Sequence, residues 1–347
     1  MAYVASTPSR MGQDKLDGAT DALFLKVFSG EIITVFDETN VMLPTTTVRT
    51  ITSGKSAQFP AVGTANASYH VAGQDILSDD GGTPEYLSQI AGGERVVVIN
   101  NLLLSSVFID SLDEAKSHFD VRGEYSKQMA RALAAEADKT LLHHGIIGAR
   151  LTGGTADRFG GGTYLGSTVD LDVASAAAVT SAKLIDGAFA AAEYFDTKDV
   201  PADDRYIVMT PDAYYKLIAT DGTAGGLILN RDFGNDGNGS MASGTVGSVA
   251  GFKILKSNHI PSADVDMAGA AKAGDNSSLS GTLDFTGTNA AHPVALCYHK
   301  SALGTVKLRD LKVEAERRIE RQGHLIVAGY AMGHEVLRHE CLFELAY

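Results

Sequence analysis

The last third of the chain alternates apolar and polar residues in a way that predicts long β-strands. Val306 and Leu308 are apolar at even positions, whereas the apolar side chains of Leu311–Ala315 fall at odd positions. This change of phase at Arg309-Asp310 places one extra residue in the strand, and a β-bulge absorbs it without turning the apolar face outward. The run Leu325–Met332 is apolar on both faces, which predicts a strand buried on both sides. We therefore expect a long, bent strand and a buried one that serve as scaffold.

A regular spacing of apolar side chains predicts a long helix earlier in the chain. Asp120 can cap its start, and about 25 residues of helix span about 37 Å at 1.5 Å per residue. We expect the helix to end at His143-His144, because imidazoles favour the negative end of the helix dipole. The apolar stripe recurs every four residues, at Tyr125, Met129, Leu133, Ala137 and Leu141.

Shorter elements follow from capping and propensity signals. Ser111–Glu114 has the S-x-x-E form of a capping box, which predicts a short helix. Thr210-Pro211 supplies a cap and a first-turn proline for another helix. The stretch Ser262–Ala291 is rich in Ala, Gly, Ser and Asp, which predicts a surface loop or a small insertion. A further helix is predicted over Val179–Phe195, and strands are predicted over Arg95–Ile99, Arg205–Met209 and Gly251–Leu255.

The region from Ser53 to Gly93 carries many turn-forming residues between short extended pieces. Such a composition cannot build its own core, so we interpret the region as a long hairpin that packs elsewhere. A hairpin of that length implies a neighbouring subunit. Phe59 stands near its base with few apolar residues around it in the sequence, and we expect its ring to be buried against that neighbour.

Composition narrows the classes of protein that fit. The 347 residues, 44% hydrophobic and 20% charged, are typical of a soluble globular protein with about two domains. The net charge of -13 argues against a nucleic-acid-binding surface. Basic residues between Lys307 and Arg321 alternate with acidic ones, which suits a salt-bridged subunit face. Cys297 and Cys341 cannot form a disulfide framework, and the sequence shows neither a secretory signal nor a membrane-length apolar run, so we expect the cytoplasm.

Two motifs imitate functional sequences and fail at a required position. Ser53–Ser56 ends like a P-loop, but Arg49 stands where the first glycine is needed and no helix is predicted to follow. His334 and His339 are one residue further apart than the histidines of a zinc-binding H-E-x-x-H helix. We expect surface or interface histidines there, and we assign no catalytic, cofactor-binding or metal-binding residue. A metal-dependent hydrolase that uses the His334/His339 region remains an alternative, with His324, His299 and Cys341 as further ligands.

Several segments together carry a resemblance that no single motif carries. SALGTVKLRDLKVEAERR and HLIVAGYAMGHEVLR, from Ser301 to Arg338, are similar to the closing segment of major capsid proteins of short-tailed (podovirus-type) double-stranded DNA bacteriophages. LFLKVFSGEIITVFDETN looks like the N-terminal arm of that family, and SGKSAQFPAVG looks like the start of its extended loop. Phe108–Leu142 resembles the entry to its spine helix and the helix itself. RYIVMTPDAYYKLI and VAGFKILKSNHIP resemble strands and a helix of its axial domain.

This resemblance implies an α+β fold of the tailed-bacteriophage major capsid type. The chain would begin with an N-terminal arm (1–45) and an extended loop (46–95). A peripheral domain would contain the spine helix (96–164) and later strands (301–335). An axial domain with a central sheet would take 165–300, and 336–347 would add its closing strand.

The resemblance also implies a structural function without enzymatic activity. Copies of the chain would assemble as pentamers and hexamers into an icosahedral shell, with the family's triangulation number of seven, enclosing double-stranded DNA without sequence-specific binding. A procapsid built on scaffolding protein in the host bacterial cytoplasm would mature into the virion shell, with a portal and decoration proteins as further partners and no membrane or cofactor. An encapsulin-like compartment shell is the alternative within the same fold. The candidate inter-subunit contacts are Lys55, Phe59, Pro60, Arg309, Arg317, Arg318 and Arg338.

Overall fold

A computed structural model describes residues 40–62, 65, 67–70, 72–73, 76, 90, 92–99, 101–116, 121–150, 165–173, 175–218, 248–261, 265–266, 282–283 and 292–347. Most of the expected N-terminal arm and most of Ser262–Ala291 lie outside the described residues, as does the predicted cap Asp120. Within the described ranges, no helix combines the length and the apolar run that crossing a bilayer requires.

The described residues form helices and strands in mixed order. The helices are α1 (Ser111–Lys116), α2 (Val121–Arg150), α3 (Ser181–Thr197) and α4 (Pro211–Ile218). The strands are β1 (Thr47–Thr50), β2 (Ser56–Val62), β3 (Gly92–Val98), β4 (Leu103–Asp110), β5 (Ser167–Asp170), β6 (Arg205–Met209), β7 (Ser248–Val249), β8 (Phe252–Lys256), β9 (Val265–Asp266), β10 (Thr282–Leu283), β11 (Pro293–His299), β12 (Leu303–Arg318), β13 (Gly323–Val336) and β14 (Leu342–Ala346).

A four-stranded sheet has the order β1-β12-β13-β4. β1 runs parallel to β12, and β13 is antiparallel to both β12 and β4. The pairing of β12 with β13 shifts register between Lys307 and Arg309 and again between Arg309 and Lys312. These shifts confirm the irregularity predicted at the phase change. Strand β13 is buried on both faces only from Tyr330 to Val336. In the apolar run Leu325–Met332, the face with Leu325, Val327 and Gly329 is half-buried, so the prediction of burial on both sides is wrong for that part.

A larger six-stranded sheet has the order β5-β14-β11-β6-β8-β7, and helices α3 and α4 share its apolar core. Aromatic side chains join the layers, because the rings of Phe195 and Phe252 have centroids 5.5 Å apart. Strand β6 has the predicted bounds, and α4 begins at the predicted position. There the Thr210 hydroxyl accepts a hydrogen bond from the backbone N–H of Ala213 at 3.4 Å.

Helix α2 belongs to two apolar cores. Met129, Leu133 and Ala137 pack with side chains of the four-stranded sheet. From Leu141 to Ala149 the helix contributes to the core of the six-stranded sheet. The predicted apolar stripe is therefore confirmed. The helix has 30 residues, which corresponds to about 45 Å at 1.5 Å per residue.

The predicted end of this helix at His143-His144 is wrong. The helix continues to Arg150, and both imidazoles are buried. Two glycines in this stretch permit close packing, since a Cβ on Gly145 would lie 2.5 Å from Leu296 Cδ2 and one on Gly148 would lie 2.7 Å from Leu342 Cδ1. Each glycine lowers the helix propensity by about 1 kcal/mol relative to alanine. The two glycines that packing requires therefore make the last turns of α2 look unfavourable for a helix in the sequence.

The hairpin formed by β2 and β3, which pair antiparallel from Ser56 opposite Val98 to Val62 opposite Gly92, is called the extended hairpin below. Thr47–Thr50, inside the range predicted for the extended loop, pairs with β12 in the four-stranded sheet. The domain boundaries themselves stay predictions. The hairpin packs on that sheet through an apolar cluster of Ala57, Val97, Ile99, Val306 and Ala331.

Candidate functional site

Residues 40–46, at the end of the segment predicted as the N-terminal arm, are called the arm root. The carboxylate of Asp138, on helix α2, accepts hydrogen bonds from the backbone N–H groups of Val41 at 2.7 Å and Met42 at 3.1 Å. Asp138 is fully buried, and His259 Nδ1 lies 3.7 Å from its Oδ2. A carboxylate that accepts several backbone N–H groups binds them more strongly than a neutral acceptor does. The arm root is thus fastened to α2 through its backbone.

Side chains of the arm root also bond to the six-stranded sheet. Met42 is fully buried, and its sulfur accepts a hydrogen bond from the Tyr298 hydroxyl at 3.5 Å. The same hydroxyl is hydrogen-bonded to Thr45 Oγ1 at 2.5 Å. Burial raises the pKa of Tyr298 well above its ordinary value. The phenol therefore stays neutral and can act as both donor and acceptor.

The base of the extended hairpin, at Lys55, Arg95 and Ile99, is called the hairpin root. The backbone N–H of Ile99 donates to the Lys55 carbonyl at 2.8 Å and closes the hairpin. Gly54 has a φ of 111°, a conformation that favours glycine. Lys55 is followed by strand β2 rather than by a helix, so the P-loop-like sequence here has no helix N-terminus to bind phosphate.

His339 joins the hairpin root to helix α2. Arg95 Nη2 lies 3.1 Å from His339 Nε2, and His339 Nδ1 lies 3.2 Å from the Gly148 carbonyl. Arginine has N–H donors and no acceptor, so Nε2 must be the unprotonated ring nitrogen. Nδ1 therefore carries the proton and donates it to the carbonyl. The imidazole is a neutral bridge between β3 and the last turn of α2.

Electrostatics around this bridge follow from burial. Burial lowers the pKa of Arg95, while the nearby carboxylates of Glu335 and Glu340 oppose that shift. Burial, together with the Arg95 charge, lowers the pKa of His339 to about 4. Burial also raises the pKa of Glu340. Arg95 thus introduces a positive charge from the hairpin into a buried region that contains two carboxyl groups.

The second histidine of the imitated zinc motif is buried as well. His334 is 1% exposed, and its Nδ1 is hydrogen-bonded to Thr305 Oγ1 at 3.0 Å. Burial and the neighbouring His144 lower the pKa of His334 to about 3. The expectation of surface histidines is therefore wrong, because the long strand β13 carries His334 into the protein interior. In the part of the chain described above, no three His, Cys, Asp or Glu side chains come together to hold a metal ion.

A buried ion pair, which sequence reasoning missed, ties the end of α2 to the six-stranded sheet. Arg150 Nε and Nη2 donate to the two carboxylate oxygens of Glu344 at 2.7 and 2.6 Å, and Thr168 Oγ1 lies 3.4 Å from Oε2. Glu344 is fully buried, and its burial raises the pKa of the carboxyl group despite the arginine. The position of Glu344 inside the apolar run Leu342–Ala346 could have predicted such a pair, because a single acidic residue in a buried strand needs a buried partner.

Asp138, Arg95 and His339 were also missed as anchoring residues. Arg95 and His339 lie 244 positions apart in the sequence, and Asp138 lies 97 positions from Val41. A short-range pattern carries no signal for such pairs. Arg95, which directly precedes the apolar residues Val96–Val98 of β3, was the nearest hint.

The predicted contact residues do not form one patch. Lys55 and Pro60 are exposed on the extended hairpin, Arg309 is exposed in the middle of β12, and Arg317 and Arg318 are exposed at its far end. Arg318 pairs with Glu316 at 3.3 Å, and Lys312 pairs with Glu314, so the predicted mixed-charge face has ion pairs of its own. Arg338 is exposed beside His339.

Phe59 differs from the other predicted contact residues because it is only half exposed. It packs against the apolar cluster beneath the hairpin, and the guanidinium carbon of Arg49 lies 5.8 Å from its ring centroid. Phe59 therefore has apolar partners in its own chain, although these partners lie far from it in the sequence. Its contact with a neighbouring subunit stays a prediction.

Comparison with known proteins agrees with the fold. Residues 58–346 match the family described as Gp10A-like major capsid protein. The major capsid protein of Enterobacteria phage T3 is 33% identical, with 94% of this chain and 93% of that protein covered. The major capsid protein of Escherichia phage T7 is also 33% identical, with 92% and 90% covered.

Solved capsid structures give the same result. A chain in the capsid of cyanophage P-SCSP1u superposes with a TM-score of 0.72 at 36% identity, covering 98% of each chain. A chain of the bacteriophage PhiM1 mature capsid, 18% identical, shares the fold with a TM-score of 0.68. The predicted fold, the non-enzymatic structural function, assembly of copies into a multimeric shell and location in the virion capsid are confirmed. The chain belongs to the Gp10A-like family of major capsid proteins.

Proposed function

We propose that copies of this chain assemble as pentamers and hexamers into a closed icosahedral shell around double-stranded DNA. In this proposal a procapsid forms on scaffolding protein in the host bacterial cytoplasm, incorporates a portal at one vertex, and rearranges into the mature shell. Decoration proteins are further partners. The observation that carries the proposal is the family match, which runs from residue 58 in the extended hairpin to residue 346 in the closing strand.

The charge of the chain supports enclosure of DNA without tight binding. A net charge of -13 disfavours contact with phosphates, because nucleic-acid affinity is supplied mainly by Lys and Arg that release counterions. Exposed basic residues near the end of β12 are interleaved with acidic ones, as the Arg318–Glu316 pair illustrates. Mixed charge of this kind favours contacts with a complementary protein surface.

We further propose that the extended hairpin and the exposed arginines contact neighbouring subunits. Phe59 keeps part of its ring exposed above an apolar cluster, and a neighbour that covered this part would gain roughly 25 cal/mol per Å² of apolar surface. The residues in this proposal are Lys55, Phe59, Pro60, Arg309, Arg317, Arg318 and Arg338.

Sedimentation tests the assembly proposal directly. The expressed chain, alone and with its scaffolding protein, is expected to sediment as capsomers or shells, and electron microscopy is expected to show closed particles. A strictly monomeric species at every concentration, with and without scaffolding protein, would falsify the proposal.

Phe59→Ala tests the hairpin contact. The half-buried ring contributes to its own subunit, so we expect a loss of about 1–3 kcal/mol in the free energy of unfolding, with the circular dichroism of the wild type. Assembly or shell heat resistance is expected to fall further than this loss explains. The matched control is Gln58→Ala on the opposite face of β2. If Phe59→Ala shells resist heat as well as Gln58→Ala shells, Phe59 does not contact a neighbour.

The alternatives have no comparable support. Both ring nitrogens of His339 are engaged by Arg95 and Gly148, and Nδ1 of His334 is engaged by Thr305. A metal bound at His339 would have to displace one of its two hydrogen bonds. No feature of the described residues favours an encapsulin-like compartment over a virion shell.

A further inference from the structure

Two kinds of contact hold the extended hairpin against the body of the subunit. The apolar contact is the cluster beneath the stem, where Ala57, Val97 and Ile99 meet Val306 and Ala331. The polar contacts include the Arg95–His339–Gly148 bridge and the hydrogen bond that Arg49 Nη1 on β1 donates to the Gln58 carbonyl at 2.7 Å. Apolar packing is non-directional, whereas a hydrogen bond restricts both distance and angle. The polar contacts therefore restrict the direction in which the hairpin leaves the subunit, and the bridge is the one that contains a titratable group.

The bridge has the required geometry in one protonation state only. A neutral ring with its proton on Nδ1 accepts from Arg95 and donates to Gly148 at the same time. A second proton on Nε2 would turn the acceptor into a donor and place two cations 3.1 Å apart.

We infer that His339 is a positioning residue of the extended hairpin, which in its neutral form holds Arg95 against the last turn of helix α2 and in its protonated form releases it. The functional meaning of this inference rests on the proposed function, in which the hairpin reaches a neighbouring subunit. The anchor itself is a property of the single chain.

Several charged or titratable groups surround this contact and could compensate a proton on His339. The Arg95 charge disfavours that proton, and the Gly148 carbonyl favours it less strongly. Glu335 and Glu340 raise the pKa of Arg95, and Glu340 interacts more strongly with Arg338 and Lys198 than with Arg95. The remaining groups are His144 on α2, Tyr194 and Lys198 on α3, Lys300 in the turn before β12, and Arg338 and Cys341 in the same segment as His339.

The sign of the pH effect follows from the two states of the root. In the closed root the pKa of His339 is lowered to about 4, and in an opened root it returns toward the ordinary 6.5. At His339 the opened form binds more protons between these values, so acidification favours opening. The raised pKa of Glu340 acts in the opposite direction. The titration of His339 alone is expected to raise the opened population about 30-fold between pH 7.5 and 5.0.

Hydrogen exchange of the full, unassembled chain tests the inference. The amides of the hairpin strands Ser56–Val62 and Gly92–Val98 would be followed at pH 7.5 and 5.0, with correction for intrinsic exchange. We expect the wild type to show a rise of up to about 30-fold, the value given above for His339 alone. His339→Gln can accept from Arg95 and donate to Gly148 but cannot titrate, so its rise is expected to be below about threefold on the same linkage reasoning.

A matched control separates this effect from a general response of histidines. His324→Gln changes a partly exposed histidine on β13 and should keep the wild-type response to pH. Equal responses in the wild type and His339→Gln overturn the inference, as does a wild type that shows no response.

A second variant decides the question if His339→Gln does not fold. Arg95→Met keeps much of the side-chain volume and removes the donor. The amides of the hairpin strands should then exchange at least about tenfold faster at pH 7.5, and protection equal to the wild type overturns the inference. Sedimentation at pH 7.5 is a separate test. Failure to form capsomers or shells would contradict the proposed function, but it would not change the conclusion drawn from hydrogen exchange about His339.

Discussion

The arm root and the hairpin root are both fastened to helix α2, but by different chemistry. Asp138 binds the arm root through backbone N–H groups, which almost every residue type supplies. The hairpin root depends on two particular side chains, Arg95 and His339, and on one protonation state of the imidazole. An anchor to backbone tolerates sequence change in the segment it holds. An anchor between side chains is sensitive to sequence and to pH.

Among the substitutions that distinguish the arm root from the hairpin root, removal of the Asp138 carboxylate is expected to lower the free energy of unfolding most. In Asp138→Ala the N–H groups of Val41 and Met42 lose their acceptor, and each unsatisfied buried donor costs about 1–3 kcal/mol. We expect the free energy of unfolding to fall by about 2–5 kcal/mol. Denaturant titration measures this loss.

The conservative variant Asp138→Asn serves as the control for this substitution. It keeps one carbonyl oxygen as acceptor and is expected to lose roughly half as much stability. Hydrogen exchange at the hairpin root should stay unchanged in both variants. A loss below about 0.5 kcal/mol in Asp138→Ala would show that water or another group satisfies the arm root equally well.

Gly148→Ala is expected to weaken the hairpin root, because the added methyl group on α2 crowds the side chains that pack there. The added Cβ would lie 2.7 Å from Leu342 Cδ1, 2.9 Å from Val336 Cγ2 and 3.4 Å from His339 Nδ1. Overpacking costs about 1–3 kcal/mol, and the better helix propensity of alanine returns about 1 kcal/mol. We therefore expect a net loss of about 0–2 kcal/mol together with faster exchange at the hairpin root.

Gly145→Ala is the matched control, one helical turn earlier. Its added Cβ would meet Leu296 of β11, at 2.5 Å from Cδ2, and would not touch the hairpin root. We expect lower stability without faster hairpin exchange. If the hairpin amides exchange equally fast in Gly148→Ala and Gly145→Ala, α2 transmits strain along its length. The exchange at the hairpin root would then not depend on the local contact at Gly148.

Substitution of Arg318 is expected to have the smallest effect on the isolated subunit. Its pair with Glu316 is exposed, with 45% and 68% of the two side chains accessible, and exposed pairs add little to stability. Arg318→Ala should leave the denaturation midpoint unchanged and reduce assembly. The control Lys312→Ala removes another exposed ion pair on β12, and an equal reduction of assembly by both variants would argue against a specific contact at Arg318.

Elements whose signal is local could be predicted from the sequence. The apolar stripe from Met129 to Leu141 predicted helix α2 correctly, and the phase change near Arg309 predicted the irregularity in β12. The helix end at Arg150 could not be predicted, because Gly145 and Gly148 meet bulky side chains from β11 and β14. That requirement depends on contacts between residues far apart in the chain.

The candidate site was predicted less completely than the fold. The extended hairpin was expected from its turn-rich composition, and the strands at its base pair as a hairpin requires. Its anchor was not expected, because a histidine near the C-terminus gives no local indication that an arginine 244 positions away will reach it. Buried polar pairs form between residues that the fold brings close together. The spacing of apolar residues along the sequence does not show which distant residues these are.

Helix α2 also determines how a mechanical load passes through the subunit. Its first half is embedded beside one sheet and its second half beside the other, and its 30 residues are joined by a continuous ladder of backbone hydrogen bonds. A displacement of the four-stranded sheet is therefore transmitted to the six-stranded sheet along the axis of α2. In a multimeric shell, each copy of α2 therefore helps to keep the distance between its two sheets constant under load.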